Sequence, residues 1–342
     1  MNYYLYQMST PLISIIIPFK NTGKYLEVCL QSIITQTHKN WELLIVDDNS
    51  SDNSFEIVNQ FAQTDHRITL LKSKGTGIID ALQTGYAMAK GEFITRMDSD
   101  DRMEHDKLKT MISQLLEYGT GHIALGLVSY FSENGVGNGF MEYETWLNQL
   151  TSEGKNFQSI YKECVIPSPC WMVHKTDFDA CGGFNSNIYP EDYDLAFRFY
   201  KHNYKCIPCN QVLHYWRDYG ERASRNDSNY SKNSLLDIKL KYFIALELNT
   251  AIPLVLWGAG QKGKRMAQQL IDQNIEFNWI CDNPKKIGKD IYGKKLLPFN
   301  QLKQLENPQS IITVANKTAQ QEIRLYLQSL GKKEMEDYYF FC

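Results

Sequence analysis

Ile94-Thr-Arg-Met-Asp-Ser-Asp-Asp101 is a short apolar strand that runs straight into three acids. Residues two apart on an extended strand point the same way, so this reading sets the Asp98 and Asp100 carboxylates side by side. Like charges that close repel, and a hard divalent cation with oxygen ligands is the usual remedy. A cation held there can in turn grip a diphosphate. The stretch also speaks for a fold, because open α/β sheets bind their ligands at the carboxyl ends of strands.

Upstream, apolar strands alternate with amphipathic helices. Leu12-Ile-Ser-Ile-Ile-Ile17 is a continuous β-branched run, the pattern of a buried parallel strand. Leu26, Cys29, Leu30, Ile33 and Ile34 then share a helix face. Trp41 to Val46 is the next strand, and Ser50 or Ser51 is placed to cap a helix whose inner face is Phe55, Val58 and Phe61. Ile68 to Leu71, Ile78 to Ala89 and Phe93 to Met97 continue as strand, helix and strand, and Leu108, Met111, Ile112 and Leu115 mark a further helix. Strands alternating with helices predict a parallel sheet with crossover helices. Regularity fades between Glu133 and Ser168, where Gly135, Gly137 and Gly139 suggest a loop before a helix over Tyr143 to Leu150. Ser234 to Leu248 reads as an amphipathic connector, and a new βαβ pattern starts at Leu254-Val-Leu-Trp-Gly-Ala-Gly260.

The chain's 342 residues suggest two domains. Its 43% hydrophobic and 22% charged residues are those of a soluble globular protein, and a net charge of −3 gives no reason to expect nucleic acid. Residues 251–342 carry +4 and the rest −7, so the front part suits a cation and the tail an anionic ligand. No apolar run is long enough to span a bilayer, and the first ten residues lack the pattern of a signal peptide. The eight scattered cysteines favour reduced thiols in a cytoplasmic protein. Cys206-Ile-Pro-Cys209 would need Cys170 and Cys181 to make a zinc site; buried thiols are the preferred reading.

Two further motifs precede the acids. Pro18-Phe-Lys-Asn21 follows the first strand, where its loop can lie against a base or ribose; an ordinary strand-ending turn is the plain alternative. Val46-Asp-Asp-Asn-Ser-Ser-Asp52 follows the second. A carboxylate at that strand tip, Asp47 or Asp48, can accept from a pyrimidine N–H; helix capping by Asp48, Asn49 or Ser50 is the plain alternative, and one role does not exclude the other. Asp98-Ser-Asp100-Asp101, third in order, is read as a metal–diphosphate site for Mg²⁺ or Mn²⁺, which would take up charge on a departing nucleoside diphosphate.

The succession PFKN, VDDNSSD, AKGEFITRMDSDD resembles the family 2 glycosyltransferases over roughly residues 10–225. The resemblance implies a GT-A fold, a mixed sheet flanked by helices, and transfer of a sugar from a nucleotide-sugar donor to an acceptor. It implies that Asp48 contacts the base, Asp98 the ribose or metal and Asp100 the metal. Leu82-Gln-Thr-Gly85 departs from the Arg-Asn or Leu-Asn that many members carry there. Tyr189-Pro-Glu-Asp-Tyr-Asp-Leu195 resembles the acceptor-side ED motif, in which Asp192, or next Glu191, is the general base; capping of the following helix is the alternative, and Asp194 reads as structural. In Leu213-His-Tyr-Trp-Arg-Asp218, His214 would complete the metal site and Arg217, with Arg222 and Arg225, would fold over the diphosphate; a structural histidine and a solvated basic face are the alternatives. Ser168-Pro-Cys-Trp171 lies where the acceptor pocket is built, Trp171 stacking on a sugar; Trp146 is ambiguous.

In the tail, Gly258-Ala-Gly260-Gln-Lys-Gly263 follows a strand and opens a helix, and Asp282 ends the next strand. That is the Rossmann fingerprint for a nucleotide or dinucleotide, with Lys262, Lys264 and Arg265 adding charge; a structural or oligomerisation role is the alternative.

The expectation is therefore an N-terminal tail (1–10), a GT-A domain (11–230), a helical connector (231–250) and a Rossmann-like domain (251–342). It describes a metal-dependent, inverting hexosyltransferase using a UDP-sugar and a glycan or lipid-linked acceptor of surface polysaccharide synthesis. Its place would be the cytoplasm or the inner face of the membrane. A nucleotidyltransferase, a nucleotide-sugar-binding regulatory protein and, more weakly, a dehydrogenase built on the tail are the rivals.

Overall fold

The computed structural model describes residues 10–133, 135–220 and 234–342. They divide into two compact units, 10–156 with 165–220, and 157–164 with 234–342. Residues 157–164 thus interrupt the span 11–230 and cluster with the second unit. Among the described residues no helix is long and apolar enough to cross a membrane.

The first unit is built on an eight-stranded sheet. Strands β1 (Ile13–Phe19), β2 (Trp41–Asp47), β3 (Ile68–Lys72) and β4 (Phe93–Arg96) pair in parallel in the order β3-β2-β1-β4. Every residue of β1 is buried, which explains its unbroken apolar run. Helices α1 (Gly23–Ile34), α2 (Ser54–Thr64) and α3 (Ile78–Tyr86) supply the crossovers. α3 lies so close to the sheet that a Cβ on Gly85 would stand 2.9 Å from Ile16 and 3.1 Å from Val46, which is why glycine occupies that position.

Beyond β4 the sheet departs from the all-parallel expectation. The edge strand β5 is Arg102–Met103, and α4 (Lys107–Tyr118) follows it. β6 (His122–Phe131) and β8 (Lys205–Arg217) are parallel to each other, but β7 (Trp171–His174) runs antiparallel to both β4 and β6. β5 closes the edge antiparallel to β8. The sheet is mixed, as the family resemblance implies. Helix α5 spans Asn138–Ser152, so Gly139 lies inside it and the expected glycine loop is shorter than the composition suggests. α6 (Lys175–Ala180) and α7 (Glu191–Lys201) complete the unit.

In the second unit α8 (Ser234–Leu246) precedes a five-stranded parallel sheet. It comprises β9 (Leu254–Trp257), β10 (Asn278–Cys281), β13 (Leu297–Pro298), β14 (Gln309–Ile312) and β15 (Tyr338–Phe340), with a small hairpin, β11 (Asp290–Ile291) and β12 (Lys294–Lys295), between β10 and β13. The order β13-β10-β9-β14-β15 reverses direction between β9 and β14, the switch point of a doubly wound sheet. Helices α9 (Gln261–Asp272) and α10 (Lys317–Ser329) follow β9 and β14, and Val255, Trp257, Ile280, Ile312, Ile323 and Leu327 centre its core.

Candidate active site

The loops after β1, β2 and β4 meet at one end of the first sheet and are bonded to one another. Asn21 takes a left-handed backbone (φ 52°), and its Oδ1 accepts from the Ser51 amide at 2.8 Å. Its own amide donates to Ser50 Oγ, that of Thr22 to Ser54 Oγ and that of Gly23 to Asp52 Oδ2. α2 begins only at Ser54, with Asn53 at its N-cap, so neither Ser50 nor Ser51 is the cap; both face the first loop. Asp47 Oδ1 closes its own turn on the Ser50 amide. Asp48 Oδ1 accepts from the Gly77 amide at 2.9 Å, and its Oδ2 lies 3.5 Å from Lys20 Nζ. The strand-tip carboxylate thereby shapes the loop leading into α3. Pro18 lies within β1, paired with Val46.

β4 ends at Arg96, and Asp98 to Asp101 form a turn closed by the Asp101 amide on the Asp98 carbonyl at 3.3 Å. The expectation of two carboxylates alternating along a strand is corrected accordingly: the chain turns because the third acid is drawn inward. Asp101 is fully buried, with Oδ2 2.9 Å from His214 Nε2 and Oδ1 accepting from the Arg217 amide at 2.7 Å. Thr22 Oγ1 donates to Ser99 Oγ, tying this turn to the first loop.

His214, expected as a metal ligand, has both ring nitrogens engaged. Nε2 holds Asp101 and Nδ1 lies 3.4 Å from the buried Lys107 amine, whose other partner is the Pro169 carbonyl. Burial pushes the Lys107 pKa down while the nearby acids oppose that shift. In this structure the histidine anchors the turn from beneath. Arg217 reinforces it, with Nε donating to the Asp100 carbonyl at 2.7 Å and the guanidinium 4.5 Å from the ring centres of both Tyr25 and Phe131. Arg222 and Arg225 lie outside the described residues.

Glu191 and Asp192 stand in the first turn of α7, where the helix N-terminus favours negative charge. Arg96 joins them to the Asp98–Asp101 turn. Its Nη1 donates to Glu191 Oε1 at 2.8 Å, while Nε and Nη2 both reach Asp98 Oδ1, at 3.2 and 3.1 Å. The guanidinium is 5% exposed; burial opposes its charge, but Asp98, Glu191 and Asp192 outweigh burial and raise its pKa. Asp192 is half-buried, and its Oδ1 meets the Tyr193 amide at 2.7 Å. Desolvation, then the Glu191 charge, push its pKa up to about 7, against the lowering pull of Arg96. Asp194 is buried and paired with Arg198 at 2.8 Å, a structural role.

Ser168 is 7% exposed and its hydroxyl has no partner among the described residues. Trp171 does not offer a face to a sugar, contrary to expectation. It is 1% exposed and packed against Phe178, Phe184 and Phe199, an apolar nest that locks β7. Trp146 packs against Tyr143 at the edge of the core. Gln83, where the chain departs from the family pattern, donates to Asn187 just ahead of α7. Cys170, Cys181, Cys206 and Cys209 are all free thiols, and no group of three or more His, Cys, Asp or Glu among the described residues is set to hold a metal by itself.

Sequence reasoning missed Arg96, Lys107 and the anchoring role of Asp101. Arg96 had a signal: it stands two residues before Asp98, the spacing that shares a strand face. Lys107 carried none, since a lysine opening a helix is ordinarily solvated.

In the second unit Gly258 has φ 120°, a Cβ on Gly263 would stand 2.2 Å from the Gly258 carbonyl oxygen, and Gly260 faces open space. Asp282 is exposed at the end of β10 and accepts from Trp257 Nε1 at 3.0 Å. Lys286 Nζ donates to the Ala259 carbonyl, and Arg265 pairs with Asp237.

Residues 14–182 match the model for glycosyl transferase family 2. Glycosyltransferase GlyG of Streptococcus pneumoniae is 30% identical over 214 residues, 60% of this chain and 70% of GlyG. Glycosyltransferase GlyA of the same organism is 30% identical over 250 residues, 71% of this chain but 35% of GlyA, so the chain spans about a third of that relative. Among solved structures, residues 1–349 of Staphylococcus aureus TarS in complex with UDP-GlcNAc superpose with a TM-score of 0.52 at 17% identity, covering 75% of this chain and 71% of that one. This likeness is one of fold, and it agrees with the mixed sheet and flanking helices seen here. With its motif loops assembled at one end of that sheet, the chain belongs to glycosyl transferase family 2.

Proposed function

We propose that this protein transfers a hexose from a UDP-sugar to a glycan or lipid-linked acceptor, with inversion, in surface polysaccharide synthesis at the cytoplasmic side of the membrane. One observation carries the reading: Arg96 binds Asp98 of the diphosphate turn and Glu191 of the acceptor-side pair together, so donor-side and acceptor-side acids form one site. The TarS complex with UDP-GlcNAc supports a UDP-sugar as donor.

Asp98 and Asp100 fit a hard divalent cation, Mn²⁺ or Mg²⁺: both are carboxylates, both are only partly buried, and Asp101 is committed elsewhere. When bound, that ion would supply charge neutralisation for the leaving diphosphate. Arg217, held beside the Tyr25 and Phe131 rings, lends positive charge beside the same turn. Asp48 and Asn21 frame the base and ribose end, and Ser168 offers its unpartnered hydroxyl to the acceptor. Asp192 takes the proton from the attacking acceptor hydroxyl as that oxygen bonds to the anomeric carbon and UDP departs.

Donor hydrolysis measured across UDP-, GDP- and TDP-sugars is expected to show turnover confined to UDP-sugars. Turnover of GDP- or TDP-sugars alone would overturn the UDP assignment.

We also infer a nucleotide or dinucleotide site in the second, Rossmann-like unit. Its three glycines divide as such a site needs: Gly258 makes the turn, Gly260 leaves room for a pyrophosphate, and Gly263 packs helix against turn. In full-length Asp100→Ala protein, where the first site holds a UDP-sugar only weakly, NAD, NADP or a UDP-sugar is expected to bind saturably in a way that depends on Asp282. A further Asp282→Ala change should weaken that binding at least tenfold; no heat with any of the three ligands would refute the site.

A further inference from the structure

We propose that Arg96 is a positioning residue: it fixes Glu191 so that the second carboxylate oxygen receives a hydroxyl of the donor hexose. The inference rests on the donor reading above and deepens it. Glu191 is 8% exposed, and its Oε1 is taken by Arg96 Nη1 at 2.8 Å. Its Oε2 is buried without any hydrogen-bond partner among the described residues. An ionised carboxylate oxygen can only accept, and a buried acceptor left empty is costly, so native proteins fill nearly all of them. The missing partner is therefore a donor that arrives with substrate.

Its place follows from the guanidinium. Arginine presents its N–H groups in a rigid planar fork. One edge of that fork holds Asp98 in the diphosphate turn, and Nη1 holds Glu191. Glu191 is thereby held by the same guanidinium as the carboxylate read as lying beside the donor diphosphate. The group attached to that diphosphate is the hexose, whose hydroxyls are neutral donors. A lysine could not do the same work, because an ammonium lacks the flat fork that spaces two carboxylates.

The test compares affinities for UDP-GlcNAc and UDP in the wild type, Glu191→Ala, Arg96→Lys, Arg96→Met and Glu191→Ala/Arg96→Met, by calorimetry with Mn²⁺ present. Effects of Arg96 on the diphosphate turn appear in both ligands and cancel in the ratio. The preference for UDP-GlcNAc over UDP is expected to fall about tenfold in Glu191→Ala, in Arg96→Met and in Arg96→Lys. In the double variant it should fall no further, as for residues that act through one contact. Arg96→Lys keeps a buried cation, so it answers the question if Arg96→Met fails to fold. An unchanged ratio in Glu191→Ala and Arg96→Lys would overturn the proposal and assign Oε2 to the acceptor. Wild type that binds neither ligand would overturn the donor reading itself, and this inference with it.

Discussion

Asp192→Asn is expected to keep donor affinity and to lose transfer by about 10²–10⁴-fold, the usual worth of a positioned general base. The choice of Asp192 over its neighbour comes from how the two acids are held. Glu191 is bound to Arg96 and stays committed to it. Asp192 accepts from the Tyr193 amide, is half-buried, and has a pKa pushed up to about 7 by desolvation and by the Glu191 charge. A base with that pKa can take a proton near neutral pH yet is still ionised often enough to act. Activity should therefore rise with pH and level off above about 7. The effect on stability has the opposite sign. Folding raises this carboxyl's pKa above the unfolded value of about 4, so the folded state binds the extra proton, and stability contributed by the protonated form is lost as pH rises towards 7. Asparagine cannot ionise, so the variant should melt above wild type at pH 8, with the difference closing near pH 4. Turnover retained in Asp192→Asn, or an acid limb that survives the substitution, would remove Asp192 from the role.

The parts legible in the sequence are those that local patterning controls. Ile13 to Phe19 is buried along its whole length, so its apolar run announced a central parallel strand, and the acids and asparagines that follow β1, β2 and β4 announced strand ends. What the sequence hid depends on partners far along the chain. β8 reads Lys-Cys-Ile-Pro-Cys-Asn-Gln-Val before its apolar end, because it pairs on both sides with strands whose identity no local period reveals. Arg96 finds Glu191 across 95 residues. Trp171, read as a sugar platform from its place near the motifs, is instead claimed by three phenylalanines on α6, α7 and the loop between them. Asp101 looked like one more acid of a cation cluster; only the return of β8 beneath the turn shows that it belongs to His214 and the Arg217 amide.

Removing the metal, or changing Asp100→Ala, is expected to weaken UDP binding at least tenfold (about 1.4 kcal/mol) and to abolish its dependence on Mn²⁺. Asp98 and Asp100 are partly buried carboxylates on one turn, a hard-oxygen set of the kind a divalent cation takes, while Asp101 is buried and held by His214 and the Arg217 amide. Arg217 remains beside the turn in the variant, so weak, metal-independent binding should persist. His214→Ala separates the two accounts of the histidine. As a ligand it would match Asp100→Ala in Mn²⁺ dependence while the fold held. As an anchor it leaves Asp101 and Lys107 buried without their shared partner, and its first effect is a lower melting temperature, with UDP binding at low temperature still responding to Mn²⁺. The second pattern follows from the geometry, in which both imidazole nitrogens are already engaged. Calorimetry of UDP with and without Mn²⁺, on wild type and both variants, decides it: equal affinity in wild type under the two conditions would sink the metal site altogether.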